Sequence, residues 1–265
     1  MKNDVNRYVY TPKVYMIDQH PLIAGRRPTL SPETKCLWIE RKAQKEAMAI
    51  GSAFEEKLAG LIRTALPAAK VYTDVYFESG IYHPEMMMYE SVQIDLLVVL
   101  PTCIVLIEAK SLFDDKYEFI ADGPDYYHWV LKERNSSVLK KHYNGVTQNL
   151  RHEDFIRQLF KHYKLDVPAI KRVVAFGGID ESKIFVRTDK QSYICHEDEI
   201  VDLLKELDGK YLEPIDVDKV CAIIERFRVK NARYYRCHNT MVNALSKGKF
   251  RLNSRCKPKF HKFLK

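Results

Sequence analysis

Two apolar runs set end to end constrain this chain more than any other feature. Residues 92–100, VQIDLLVVL, and 103–110, CIVLIEAK, are rich in Val, Ile and Leu, are separated by Pro101-Thr102, and carry only three charges, Asp95, Glu108 and Lys110. Runs of this length and composition predict two strands of one hairpin. The charges then stand where a buried sheet would carry apolar side chains.

Side chains alternate faces along a strand, so Glu108 and Lys110 share one face. An antiparallel hairpin centred on Pro101-Thr102 pairs Leu97 with Leu106, Leu96 with Ile107 and Asp95 with Glu108. Pro-Thr is not a standard two-residue hairpin turn, but a longer loop with the same centre keeps that register. Facing carboxylates would have their Cβ atoms roughly 4.5–5.5 Å apart, which is destabilising for like charges. A divalent cation between them would offset the repulsion, since hard cations such as Mg2+ take carboxylate and water oxygens. Lys110, one step further along the same face, would orient a nucleophilic water or stabilise a developing oxyanion. The metal would polarise a phosphoryl group and lower the pKa of its bound water. These parts together suit phosphodiester hydrolysis. An ordinary salt bridge of Lys110 with Glu108 or Asp95 at a sheet edge is the plainer alternative. The metal reading gains weight because the charges interrupt apolar runs on both strands and converge on one place.

Around this hairpin the pattern is mixed α/β. Pro12, Pro21 and Pro28 break up residues 1–30 into an extended arm. Ser31 as N-cap and Pro32 at the first helical position predict a helix to about Leu66, interrupted or kinked near Gly51. Phe54, Leu58, Leu61, Ile62 and Ala65 recur at helical spacing on its second half, with Glu55 beside that stripe. Residues 70–77 predict a strand, 80–90 the loop after it, and the stretch through DGPDYYHWVL a further hairpin ending near Leu131. SSVLKKHYNGVTQNLRHEDFIRQLFKHYK reads as helical, IKRVVAFGG and KIFVRT as strands, and HEDEIVDLLKELD as a helix with Ile200, Leu203, Leu204 and Leu207 inward.

At this point the residues resemble a family. Asp95, twelve residues, then Glu108-Ala109-Lys110 on adjacent strands, preceded by a helix carrying Glu55, looks like the core of the PD-(D/E)XK nuclease superfamily. More narrowly the chain resembles the nuclease-related domain, NERD. GSAFEEKLAGLI is similar to that family's G-x-x-G-E helix, with Phe54 in place of the second glycine. VQIDLLVV resembles its Q-I-D strand, VLIEAKS its I-E-x-K strand, and Trp129 falls where a tryptophan often ends its next hairpin. NGVTQNLRH resembles its N-P-x-x-Q helix, keeping Asn144 and Gln148 but with Gly145 in place of proline. The resemblance covers about residues 50–208. It implies a restriction-endonuclease-like α/β fold, a mixed central sheet flanked by helices. It also implies a Mg2+ or Mn2+ ion bound by Asp95 and Glu108, with Glu55 often completing the site and Glu56 the fallback, about 100° further round the helix. Gln148 would sit near the metal or the substrate backbone.

Charge is unevenly distributed. The chain has 43 Lys/Arg and 35 Asp/Glu, yet residues 226–265 hold thirteen Lys/Arg and no acidic residue, leaving 30 against 35 in residues 1–225, a net −5. Tyr234, Tyr235, Phe250, Phe260 and Phe263 interleave the basic tail. Cations for phosphates with rings that stack on bases compose a nucleic-acid-binding surface; a solvated terminus whose rings pack on the body has the same composition. The expected division is an N-terminal arm and helix start over 1–42, a nuclease-like domain over 43–212 and a basic nucleic-acid-binding extension over 213–265. Cys237, His238, Cys256 and His261 lack the paired spacing of zinc modules. His142, His152 and His162 are expected in surface or satisfied core roles, and no serine or cysteine triad stands out.

The longest uncharged apolar run, Leu96 to Ile107, is twelve residues and contains Pro101. A membrane-spanning helix needs roughly 20, so no membrane partner is expected. No apolar signal core opens the chain, and the six cysteines show no framework spacing, which fits a reducing, cytoplasmic setting. The expected function is a Mg2+- or Mn2+-dependent deoxyribonuclease, an endonuclease, acting on DNA. The alternatives are a catalytically silent DNA- or RNA-binding module and, more remotely, a scaffold whose tail contacts acidic lipid or protein.

Overall fold

The computed structural model describes residues 42–83, 88–112, 114–209 and 213–229. The N-terminal arm and the tail from residue 230 onward lie outside the described residues. The architecture is α/β, as expected, with two mixed sheets flanked by helices. Five strands form the larger sheet in the order β1 (Lys70–His83), β2 (Met88–Val99), β3 (Cys103–Ser111), β7 (Ala169–Gly177), β9 (Ser192–His196). β1, β2 and β3 are antiparallel neighbours, whereas β7 and β9 run parallel to β3. A smaller sheet has the order β6 (Leu139–Tyr143), β5 (His128–Glu133), β4 (Tyr117–Asp122), β8 (Ile184–Phe185).

Four helices complete the described chain: α1 (Lys42–Ala65), α2 (Gly145–His162), α3 (Ile200–Gly209) and α4 (Val217–Phe227). One face of the large sheet buries Phe54, Leu58, Ala59 and Ile62 of α1 and Ile200, Leu204 and Leu207 of α3 against Leu96, Val98, Val105 and Ile107. The other face buries Phe155, Ile156, Leu159 and Phe160 of α2 and Val220, Ile223 and Ile224 of α4 against Leu97, Val99, Ile104 and Leu106. Each buried Val, Leu, Ile or Phe among them contributes about 1.5–3 kcal/mol. Continuous apolar strands follow from helices on both faces. No helix among the described residues is long and apolar enough to cross a membrane.

The β2–β3 register is the one the sequence predicts, with Leu96 opposite Ile107 and Leu97 opposite Leu106. Leu100 N–H closes the hairpin on the Cys103 carbonyl at 2.8 Å, and the Pro-Thr corner is held from outside. Asp208, near the end of α3, accepts from Thr102 N–H at 3.1 Å and from its hydroxyl at 2.9 Å, while Pro101 C=O accepts from Ile215 N–H at 2.8 Å.

Elsewhere the sequence reading needs correction. α1 passes through Gly51 without interruption. Residues 80–90 are not simply a loop, because β1 continues to His83 and β2 begins at Met88. Residues 139–143, read as helical, form the edge strand β6, since Leu139–Tyr143 pair with β5 and the Asn144 cap starts the helix only afterwards. KIFVRT supplies only the two-residue strand β8, and β9 and α4 carried no sequence expectation.

The Phe54 departure from the family motif has a counterpart across the core. A Cβ at Gly177, at the end of β7, would lie 2.2 Å from Phe54 Cε2, so the ring occupies the space that a side chain at 177 would fill. Gly177→Ala is therefore expected to cost about 1–3 kcal/mol through overpacking. Urea melts of Gly177→Ala, Phe54→Leu and the double variant check it; strictly additive losses would show that the two positions do not share that space.

Candidate active site

The site begins with a break in strand alternation. On β2, Leu96 and Val98 face α1, whereas Ile94, Leu97 and Val99 face α2 and α4, so the pleat slips beside Asp95. Its cross-strand neighbour Asp74 has φ 51°, in the left-handed region that non-glycine residues rarely adopt. The β2–β3 ladder runs no further than Leu96 opposite Ile107. At the next rung the Asp95 side chain takes over, its Oδ2 accepting from Ala109 N–H at 2.9 Å. The two strands thus remain bridged while the Asp95 carboxylate is brought beside Glu108.

On β3, Glu108 and Lys110 share the α2 face and are 4% and 9% exposed. Lys110 Nζ donates to Glu108 Oε1 at 2.6 Å and to Gln148 Oε1 at 2.8 Å. Gln148 arrives from the first turn of α2, where Asn144 caps the helix by accepting from Val146 N–H at 2.9 Å and Thr147 N–H at 3.2 Å. Gly145 explains itself here by space. A Cβ at that position would lie 3.2 Å from the Trp129 ring, 3.2 Å from Val174 and 3.3 Å from Glu108 Cγ. Trp129 itself is fully buried against Phe176, with ring centroids 5.7 Å apart.

Glu55 is half-buried on α1 and acts electrostatically on Asp95. Glu56 points away, accepting from the Thr73 hydroxyl at 3.1 Å with its side chain 64% exposed. The structure therefore brings Asp95, Glu108, Lys110 and Gln148 together, keeps Glu55 within electrostatic reach of Asp95 and leaves Glu56 outside.

Burial raises the Asp95 pKa well above the ordinary carboxylate range, and the charges of Glu108 and Glu55 raise it further; Lys110 and the Ala109 N–H oppose the shift. The site thus carries more negative charge than its one lysine balances. Because the folded-state pKa lies above the unfolded one, Asp95 withdraws stability as pH rises from the ordinary aspartate range toward the raised value. Asp95→Asn is expected to raise the melting temperature of the metal-free chain near neutral pH, by about 2–4 °C for each kcal/mol relieved, and to flatten its pH dependence. Thermal melts in chelator across pH check this; a parallel pH profile for both chains would contradict it.

Two histidines that the sequence reading expected in surface or satisfied core roles adjoin the site. His142, on β6 across from Trp129, has its pKa pushed down to about 4 by burial and by the Lys110 charge. His152 lies one helical turn beyond Gln148 and is buried, and burial lowers its pKa; its Nδ1 has no protein partner. His152 did not stand out in sequence, because i, i+4 spacing from Gln148 becomes meaningful only once Gln148 is known to face the site; His142 comes near through the β5–β6 pairing. Cys103 and Cys195 are buried thiols, pushed up by that burial to about 11 and about 12, which suits packing and not nucleophilic attack. The cysteine and histidine set of the tail lies outside the described residues.

The donor chemistry fits a hard divalent cation, since carboxylate oxygens gather at a place short of positive charge. Among the described residues, no three His, Cys, Asp or Glu side chains stand together as a ready ion cage.

The family model of the nuclease-related domain matches residues 50–177, just under half of the chain. This stretch carries Glu55, Asp95, Glu108, Lys110 and Gln148. The match suggests a nuclease-related function, interaction with nucleic acid and use of a divalent metal. No curated protein and no solved structure matches the chain.

Proposed function

We propose that the chain is a metal-dependent nuclease that hydrolyses DNA phosphodiester bonds at Asp95, Glu108 and Lys110, with Glu55 and Gln148 completing the site. The observation that carries this reading is the buried Lys110 ammonium, shared between Glu108 at 2.6 Å and Gln148 at 2.8 Å beside the bridging carboxylate of Asp95. Asp95 and Glu108 would hold Mg2+ or Mn2+, with Glu55 as the third carboxylate. When bound, the ion supplies Lewis acidity toward a phosphoryl oxygen and an acidified water. Lys110 holds its charge where negative charge develops in the transition state, and Gln148 fixes the position of that ammonium. Asp95 would hold the ion as a carboxylate, and its pKa is raised, so metal affinity is expected to rise with pH.

A second reading, a catalytically silent nucleic-acid-binding module, draws on the same ion pair. Lys110 already satisfies one Glu108 oxygen, as a structural salt bridge would. The two are separated by incubating supercoiled plasmid, linear single-stranded DNA and RNA with Mg2+, Mn2+ or chelator, using wild type and Asp95→Ala. Metal-dependent cutting of DNA lost in Asp95→Ala supports the nuclease; a folded wild type that binds DNA and leaves every substrate intact supports the silent module.

A further inference from the structure

The loop between β4 and β5 turns aromatic side chains outward while its backbone is fastened to the site. Tyr126 and Tyr127 are 60% and 53% exposed, and Tyr143, opposite His128 on β6, is 42% exposed. These are large rings to leave in water. Tyr126 and Tyr127 meet edge to face at 5.8 Å between centroids, and Tyr143 stacks on His128 at 5.6 Å. The Arg151 guanidinium lies 5.3 Å from the Tyr127 ring centroid.

The fastening runs through the first turn of α2. The Tyr126 carbonyl accepts from Asn144 Nδ2 at 3.1 Å and from the Thr147 hydroxyl at 2.8 Å, and the Tyr127 carbonyl accepts from Asn144 N–H at 3.0 Å. Gln148, the next residue of that turn, holds Lys110. The rings therefore stand at a fixed offset from the lysine of the candidate site. Arg151 and Lys141 flank them with positive charge. Asp125, which accepts from His128, Tyr127 N–H and Lys141, is the acidic group among them and is engaged in shaping the loop.

Resting on the nuclease reading above, we propose that Tyr126 and Tyr127, with Arg151, form a platform for an unpaired base. The substrate class is then single-stranded or locally unpaired nucleic acid. In a duplex the faces of the bases are covered by their neighbours, whereas an unpaired base offers its π-face to a ring, and such stacking tolerates any sequence. The guanidinium over Tyr127 adds a second planar surface and a charge for the adjoining phosphate.

The test uses the full chain as wild type, as Tyr126→Ala/Tyr127→Ala and as Tyr126→Phe/Tyr127→Phe. A short oligonucleotide with one 2-aminopurine, single-stranded or annealed to its complement, is titrated in chelator and read by anisotropy and by quenching. The alanine pair is expected to lose about tenfold to hundredfold in single-strand affinity, together with the quench. The phenylalanine pair should keep both, and duplex affinity should change little. Unaltered single-strand binding by the alanine pair, or equal losses for single strand and duplex, would overturn the platform. A parallel incubation with Mg2+ keeps the two claims apart. Cutting that persists unchanged in the alanine pair sinks the platform alone, whereas stacking without cutting by any chain leaves the platform and sinks the nuclease.

Discussion

Lys110→Met is expected to cost the metal-free chain about 3–5 kcal/mol, because one partner of a buried ion pair is removed and the other is left behind. Glu108 is 4% exposed and takes the ammonium at 2.6 Å, beside an Asp95 whose pKa burial and the neighbouring carboxylates raise. The loss corresponds to a drop in melting temperature of roughly 6–20 °C for a domain of this size. Mg2+ should restore part of it, since a divalent ion replaces the missing positive charge. Cleavage should fall about 100-fold to 1,000-fold and stay low even when the metal has restored the fold, as for removal of one group that stabilises transition-state charge. Melts with chelator and with Mg2+, run beside a cleavage time course, separate the structural from the chemical contribution. A variant that melts like wild type in chelator would show the pair to be inconsequential, and full activity would remove Lys110 from the chemistry.

The second large effect is expected away from the chemistry. Arg172 on β7 is 3% exposed and joins Glu153 of α2 at 3.2 Å to Asp189 at 2.8 Å. Arg172→Met leaves Glu153 buried with Arg157 as its remaining cation, at 2.7 Å. A loss of about 3 kcal/mol is expected, toward the lower end for a broken buried pair because Arg157 stays. Adding Glu153→Gln should recover part of it by removing the stranded charge. Urea titrations of the single and double variants test this. An unchanged midpoint in Arg172→Met, or a double variant weaker than the single, would mean that the network does not hold α2 to the sheet.

These residues also show what the sequence could and could not disclose. The β2–β3 register was legible because two apolar runs flank one turn, and a slip of one residue would turn every buried side chain to the wrong face. The choice of Glu55 over Glu56 came from its place in the family motif, with helical phase setting Glu56 about 100° further round. Asp95 was found by its anomaly, a charge within an apolar run, but the slip in alternation that places it was not, because both pleat phases are apolar in this strand. β6 escaped recognition since LKKHY has no clean alternation and takes its strand geometry from pairing with β5. Nothing in the sequence marked Arg172 or Glu153, and it is the approach of α2 to β7 that buries them. Tyr126 and Tyr127 read as part of a hairpin, while their exposure depends on where Asn144 and Thr147 catch the loop's carbonyls.

The central claim is that Asp95 and Glu108 jointly hold the ion on which cutting depends. It is tested most directly by Mn2+ titration of the intact chain, counting bound ions by electron paramagnetic resonance in wild type, Asp95→Ala, Glu108→Ala and Lys110→Met. The expected result is a site present in wild type and Lys110→Met and lost from both carboxylate variants, each verified as folded. Equal Mn2+ binding by wild type and Asp95→Ala would contradict it.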